Sequence, residues 1–363
     1  MSATQDLLYS EIEDDLRAAV RAMLVERCPP AAILERCEGG EPYDLKLWRT
    51  LAVELGCAGL AVPEEHGGAG ASFREAAVVL EELGRAVAPV PFLGSAVVAT
   101  SALLACGERE LLAELASGAR TAALALPFST APRAPGPPPV RASGDTLSGT
   151  VTSVADALPA DVLLVPVPGA LYAVQARQAR VSRSPVVSLD LTRQLCDLTL
   201  DGAPGRPLAT GGAADRAVST ALTTGAALLA SEQLGVAEWC LDATVEHLKT
   251  RYQFGRPVGS FQALKHRLAD LWVEVSHARA VARYAAACVA SSDPDTAIAA
   301  ALAQAHCSAV AVSAAQECVQ LHGGIGFTWE HGAHLYLKRA KSAAIAFGTP
   351  DQHRAALAVL VDL

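Results

Sequence analysis

From about Ala213 to its C-terminus the chain keeps a helical apolar period, interrupted by one Gly- and Pro-bearing segment, Arg251-Tyr-Gln-Phe-Gly-Arg-Pro-Val-Gly-Ser-Phe-Gln262. One helix is expected over roughly Ala217 to Leu248. A second starts near Phe261, with Leu264, Leu268, Leu271, Val275 and Ala278 on one stripe. A third spans about Thr296 to Leu321, mostly Ala, Val, Ser and Cys, and a last one follows Gly332. Four helices with short connections read as an antiparallel bundle. The interrupting segment gathers Arg251, Arg256, Phe254, Phe261 and free backbone N–H groups in one turn, which can hold a pyrophosphate.

At 363 residues the chain is long for a single core and points to two or three domains. Hydrophobic residues make up 51% and aromatics only 5%, so packing rests on small side chains and an α-rich protein is expected. A net charge of -9 argues against a nucleic-acid or anionic-membrane partner, since either needs a basic face. The start Met1-Ser-Ala-Thr-Gln-Asp has no signal-peptide character, and no uninterrupted apolar run of spanning length stands out. A cytoplasmic protein is expected. Nine cysteines, Cys28, Cys37, Cys57, Cys106, Cys196, Cys240, Cys288, Cys307 and Cys318, show no C-x-x-C or metal-ligand spacing and read as buried small hydrophobes.

In the N-terminal third, helices are expected over Leu7 to Arg27, ended by Cys28-Pro-Pro, and over Asp44 to Leu55, closed by Gly56. Ser72 with Glu75 three residues on marks a capped helix reaching Gly84. Two more lie near Pro91 to Ala105 and Glu108 to Leu115. At about Thr121 the character changes. Ser129-Thr-Ala-Pro-Arg-Ala-Pro-Gly-Pro-Pro-Pro139 is a loop, because its prolines lack ladder N–H groups. Short β-like runs follow at Thr146 to Val151, Val162 to Val167, Ala170 to Val174, Val186 to Leu189 and Cys196 to Leu200. The domains expected are therefore a helical block at 1–120, a small β domain at 121–211 and a four-helix bundle at 212–363.

This order, together with four local motifs, resembles the acyl-CoA dehydrogenase family over essentially the whole chain. Trp48 to Gly70 with Glu82-Leu-Gly84 is similar to the family's N-terminal helical domain, and Gly144-Asp145 to Val165 to its middle, β-barrel-like domain. Arg251 to Gln262 and Gln320-Leu-His-Gly-Gly-Ile-Gly-Phe327 resemble its two C-terminal signatures. The resemblance implies FAD as cofactor, with the flavin against the middle domain and the ADP half held by the bundle of a neighbouring subunit. It places Arg251 at the pyrophosphate, Gln253 and Phe254 in the same turn, and Val258, Phe261 and Gln262 along the adenosine. Gln320, Gly323 and Gly324 bring a second backbone close, and Gly348 and Thr349 join the cofactor-binding set. Read locally, Arg251 also suits a helix C-cap, Phe254 and Phe261 suit a core, and Gly323-Gly324 suits a helix end.

Dehydrogenation of an acyl-CoA needs a carboxylate to take the α proton while the flavin takes the β hydride. Where much of the family carries that Glu, the matching segment here is Ala346-Phe-Gly-Thr349, so Phe347 stands at the base position. At the family's alternative position, early in the first bundle helix, this chain has Gly225-Ala226. Glu232 nearby is either a helix-packing carboxylate or a displaced base. The family's flavin-contacting Gly-Ser-Asp turn has no counterpart; Leu126-Pro-Phe-Ser-Thr130 and the proline run stand there, with Ser129 and Thr130 as the remaining hydroxyls. Glu64-Glu65-His66 and Glu330-His331 with His334 carry metal-capable side chains but no ligand set, so no metal is expected.

A chain that keeps the ADP-holding half and lacks both the base and the flavin face resembles one subunit of a heteromeric acyl-CoA dehydrogenase, paired with a second chain of the same family. Some steroid side-chain degrading members resemble this arrangement. The other readings are a self-sufficient homodimer or homotetramer using Glu232, and a binding or scaffold protein that keeps only the fold. The family also implies an electron-transfer flavoprotein as acceptor.

Overall fold

The computed structural model describes residues 6–133 and 135–363; Met1–Gln5 and Ala134 of the proline-rich loop lie outside the described residues. Helix α1 (Glu11–Arg27) starts at a capping box in which Ser10 and Glu13 satisfy each other's backbone N–H groups. The sequence expectation of a stop at Cys28-Pro-Pro holds for α1, but Pro30 then opens a helix of its own, α2 (Pro30–Glu38). A proline at the first helical position costs nothing there, since its missing N–H has no intrahelical partner. Asp44 caps α3 (Leu45–Arg49), which widens into a π-turn over Thr50–Glu54 before Gly56 stops it at φ 67°. Ser72 and Glu75 form the anticipated capping box of α4 (Phe73–Arg85). A π-helical stretch, Leu93–Ala99, runs into α5 (Thr100–Cys106), and α6 (Glu110–Ala116) closes the block.

The middle region is a sheet of seven strands, β1 (Ala122–Leu124), β2 (Arg141–Ser143), β3 (Thr146–Ala155), β4 (Val162–Val167), β5 (Ala170–Gln175), β6 (Val181–Pro185) and β7 (Leu195–Thr210). Their order is β1-β4-β5-β7-β3-β2, with β6 also on β7, and only β1 and β4 are parallel. The barrel-like expectation is corrected here: the end strands do not pair, so the sheet is open. It folds over β7, whose first part pairs with β3 and β6 and whose last residues, Gly205 to Thr210, pair with β5. Leu147, Val151, Leu163, Val165, Val174 and Leu198 fill its own small core. The strand expected at Val186 to Leu189 is instead β6, just before it; Val187 and Leu189 are exposed, and the chain turns there to bury Asp190.

The C-terminal region contains α7 (Gly212–Thr250), α8 (Gln262–Ala290), α9 (Thr296–His322), α10 (Ala333–Ala343) and α11 (Pro350–Leu360). The single last helix expected after Gly332 is thus two short ones, because Phe347 and Gly348 both take positive φ and break the period. Helix α9 is long and apolar enough to cross a bilayer by length and composition, which the sequence reading did not anticipate. It packs among α7, α8, α10 and α11, and most of its apolar window is buried. The N-terminal block is bolted to the bundle where α4 crosses α7. Gly84 faces the backbone of Glu232 and Gly235 faces the backbone of Glu81, so a Cβ at either would strike a main chain.

Candidate functional site

Arg251 to Gln262 forms a small projection at the end of α7. Strands β8 (Tyr252–Gln253) and β9 (Arg256–Pro257) pair antiparallel around Phe254 and Gly255, both with φ above zero (53° and 76°), as a tight primed hairpin turn requires. Backbone N–H of Val258 donates to Arg251 O at 2.8 Å and closes the base of the loop. Phe254 is 89% exposed, and Arg256 lies over the Phe261 ring at 3.8 Å. The backbone of Arg251 does cap α7, its N–H donating to His247 O, while its side chain stays exposed. Among the described residues neither Arg251 nor Arg256 makes an ion pair. Gln262 is the first residue of α8 and also exposed.

Helix α9 ends at the same end of the bundle. Gln320, Gly323 and Gly324 are exposed there, and among the described residues, their own chain neighbours aside, no atom lies within 4 Å of where a Cβ would stand on either glycine. Gly323, at φ 65°, ends the helix, while the tightly packed glycine of the motif is Gly326, against the Val319 carbonyl. The two signatures are joined by a row of imidazoles that sequence reasoning passed over: His247 to His322 at 4.3 Å and His322 to His331 at 4.4 Å between ring centroids. The available signal was His247 four residues before Arg251, on the same helix face, and His322 inside the Gln320–Gly324 motif.

Phe347, Gly348 and Thr349 lie elsewhere. Gly225, which Phe347 touches, precedes Arg251 by 26 residues of α7, roughly 39 Å at 1.5 Å per residue. That separation exceeds the span of one FAD. Phe347 is pinned on both sides: its N–H donates to Phe128 O at 2.8 Å and its carbonyl accepts from His353 Nε2 at 2.9 Å. Its ring meets Phe128 edge-on at 5.4 Å. Leu93, Leu124, Leu126, Leu222 and Ala155 close round it, leaving a small cavity of roughly 30 Å³ that Asp156 also lines. Thr349 is the N-cap of α11, in a capping box with Gln352. Ser129 is exposed and Thr130 buried, its N–H on Pro127 O.

Glu232 sits in a buried cluster. Its carboxylate accepts two bonds from Arg193 and one from Arg339, which also reaches Asp190 and Thr192. Burial pushes its pKa up, but the two guanidinium groups outweigh this and hold it below the usual value. An acid so held, with both oxygens engaged, is a poor proton acceptor. The cluster docks the middle domain onto α7 and α10. Beside it Asp156, raised in pKa by burial, accepts from Tyr43 Oη at 3.0 Å and Gly94 N at 2.8 Å. Among the described residues no group of three or more His, Cys, Asp or Glu side chains is arranged to hold a metal ion.

The two half-sites fit FAD unequally. The projecting hairpin, with guanidinium groups free of carboxylates and exposed rings, fits a diphosphate and an adenosine; the space around Phe347 does not fit a flavin. Residues 10–119 match the acyl-CoA dehydrogenase N-terminal domain and residues 215–359 the acyl-CoA dehydrogenase C-terminal domain. The chain belongs to the acyl-CoA dehydrogenase family. Its members are oxidoreductases acting on CH–CH bonds. Acyl-CoA dehydrogenase IpdE2 of Mycobacterium tuberculosis is 41% identical over 340 residues, 93% of each chain. Among solved structures, a chain of the ChsE4-ChsE5 complex from Mycobacterium tuberculosis is 31% identical with a TM-score of 0.88, covering 99% of both chains. A chain of a Tcur3481-Tcur3483 steroid acyl-CoA dehydrogenase variant is 31% identical with a TM-score of 0.85, covering 97% of this chain and 98% of that one.

Proposed function

We propose that this acyl-CoA dehydrogenase is the base-lacking subunit of a heteromeric FAD enzyme that desaturates an acyl-CoA, holding the ADP half of a cofactor whose flavin works in a partner chain. The observation that carries this reading is the contrast between the two ends of α7. Toward one end Phe347 fills the space against Gly225, where the family's base would stand, and leaves no room for a ring system; the carboxylate that lines the residual cavity, Asp156, is engaged by Tyr43 and Gly94. At the other, Arg251, Gln253 and Phe254 are exposed on a projecting turn.

When bound, FAD supplies the hydride acceptor of the reaction. The work of this chain is binding. Arg251 offers a guanidinium to the diphosphate oxygens. Phe254 and Phe261 offer faces to the adenosine, with Val258 and Gln262 beside them, and Gly323 and Gly324 let another backbone or the cofactor come close. The partner supplies the carboxylate that takes the α proton. Two structural neighbours are named as two-component assemblies, and one of these as a steroid acyl-CoA dehydrogenase, which favours a bulky acyl group.

Co-expression with a second acyl-CoA dehydrogenase-like chain tests the proposal. A yellow complex that loses flavin on Arg251→Ala supports it; a complex whose flavin content ignores Arg251 sinks it.

A further inference from the structure

We infer that His247, His322 and His331 form, with Arg251, a proton-accepting extension of the diphosphate site, so that this chain takes up protons when it binds a diphosphate diester. The inference rests on the subunit reading above and deepens it.

The three rings stand in a row, His322 in the middle and buried, His247 and His331 half-buried on either side. His247 and His322 each occupy the last turn of a long helix, α7 and α9, where the macrodipole favours a cation. Arg251 follows His247 by one turn and opens the hairpin. The groups facing this row are few. From α9 there is Cys318, whose Sγ lies 3.6 Å and whose carbonyl lies 2.7 Å from His322 Nδ1. From α7 there are Cys240 and Thr244, next to Cys318 rather than to the imidazoles, with Thr244 Oγ1 donating to Cys240 O at 2.6 Å. From the segment after Gly324 come His331 and the exposed Glu330, and from α10 come His334 and Lys338.

No carboxylate therefore pairs with the row among the described residues. Cys318 serves His322, lifting its pKa against burial. His247 is left beside that ring and Arg251, and His331 beside that ring; both are held low, first by burial and then by the neighbouring imidazole, with Arg251 adding to the effect on His247. A fixed anion of charge near -2 placed at Arg251 reverses that balance at His247, the ring that Arg251 faces, and draws a proton onto it, with His322 and His331 coupled to His247 through the row. Anion affinity is then highest where the rings are readily charged and falls as pH rises through their folded pKa values.

ADP-ribose is a suitable probe, because its diphosphate is a diester and keeps its charge across the neutral range. Isothermal titration of the full chain with ADP-ribose, from about pH 6 to about pH 8 and in buffers of differing ionisation enthalpy, should show net proton uptake. Affinity should fall about tenfold per pH unit for each proton taken up. His247→Asn and His331→Asn should each flatten the slope while binding persists, whereas Arg251→Ala should weaken binding throughout. A flat profile without proton uptake in the unaltered chain, an undiminished slope in both histidine variants, or no ADP-ribose binding at any pH would overturn the inference. None of these depends on the flavin content of the complex, which tests the subunit reading separately.

Discussion

The ring of Phe347 occupies the space that a side chain at Gly225 would need: a Cβ there would stand 2.7 Å from Phe347 Cζ and 3.0 Å from Val98 Cγ2. These are the two positions at which the family resemblance places alternative catalytic carboxylates. In this chain one has become a plug and the other the recess that receives it, so the loss of either base is coupled to the loss of room for both.

Gly225→Ala should destabilise the fold by about 1–3 kcal/mol through overpacking. Phe347→Ala alone should cost about 3–5 kcal/mol by leaving a cavity. The double variant should be less destabilised than the sum, because the smaller side chain removes the clash. Urea denaturation of the four proteins checks this; strict additivity would mean that the two residues do not share the space.

Glu232→Gln should cost about 3–5 kcal/mol, since it leaves Arg193 and Arg339 buried with a neutral partner. Because the carboxyl's folded pKa lies below its unfolded value of 4.5, its contribution is present above that value and is lost as pH falls through the folded pKa. The stability gap between the unaltered chain and Glu232→Gln should therefore shrink on acidification. A gap that stays constant would show that ionisation of Glu232 plays no part.

Asp156 shifts in the opposite direction. Its folded pKa is raised by burial, so folding is most favoured with the acid protonated, and this advantage declines as pH rises from the unfolded value of 3.8 through the folded pKa. In Asp156→Asn the amide oxygen accepts from Gly94 N–H and its NH2 donates to Tyr43 Oη, which keeps its bond to Gln194 O, and the titration is removed. Stability profiles of the two proteins should converge at low pH and separate, in favour of the variant, as pH rises; parallel profiles would refute this.

Phe254→Ser should leave the stability of the isolated chain within about 0.5 kcal/mol of the original, as the ring is 89% exposed. In the complex it should lower FAD retention. A large loss of stability in the isolated chain would make Phe254 a core residue after all.

The helical ends of the molecule were legible because their signals are local. Ser72 with Glu75 announced α4, and the apolar stripe from Leu264 to Ala278 announced α8. The middle sheet was less so: Val186 to Leu189 has β-branched composition, yet the ladder with β7 is met by the more polar Val181–Pro185, a pairing set by tertiary register that composition does not carry. Within the site, the replacement of the base by Phe347 could be read by position. Its packing against Gly225 could not, since the two residues are 122 positions apart. Glu232 remained open for the same reason: the arginines that hold it, Arg193 and Arg339, come from a loop and a helix distant in sequence.

Flavin content of the purified chain, alone and with a second acyl-CoA dehydrogenase-like chain, tests the central claim most directly. The account predicts a nearly colourless chain on its own and about one FAD per pair of chains in the complex. Full FAD occupancy together with acyl-CoA turnover by this chain alone would contradict it.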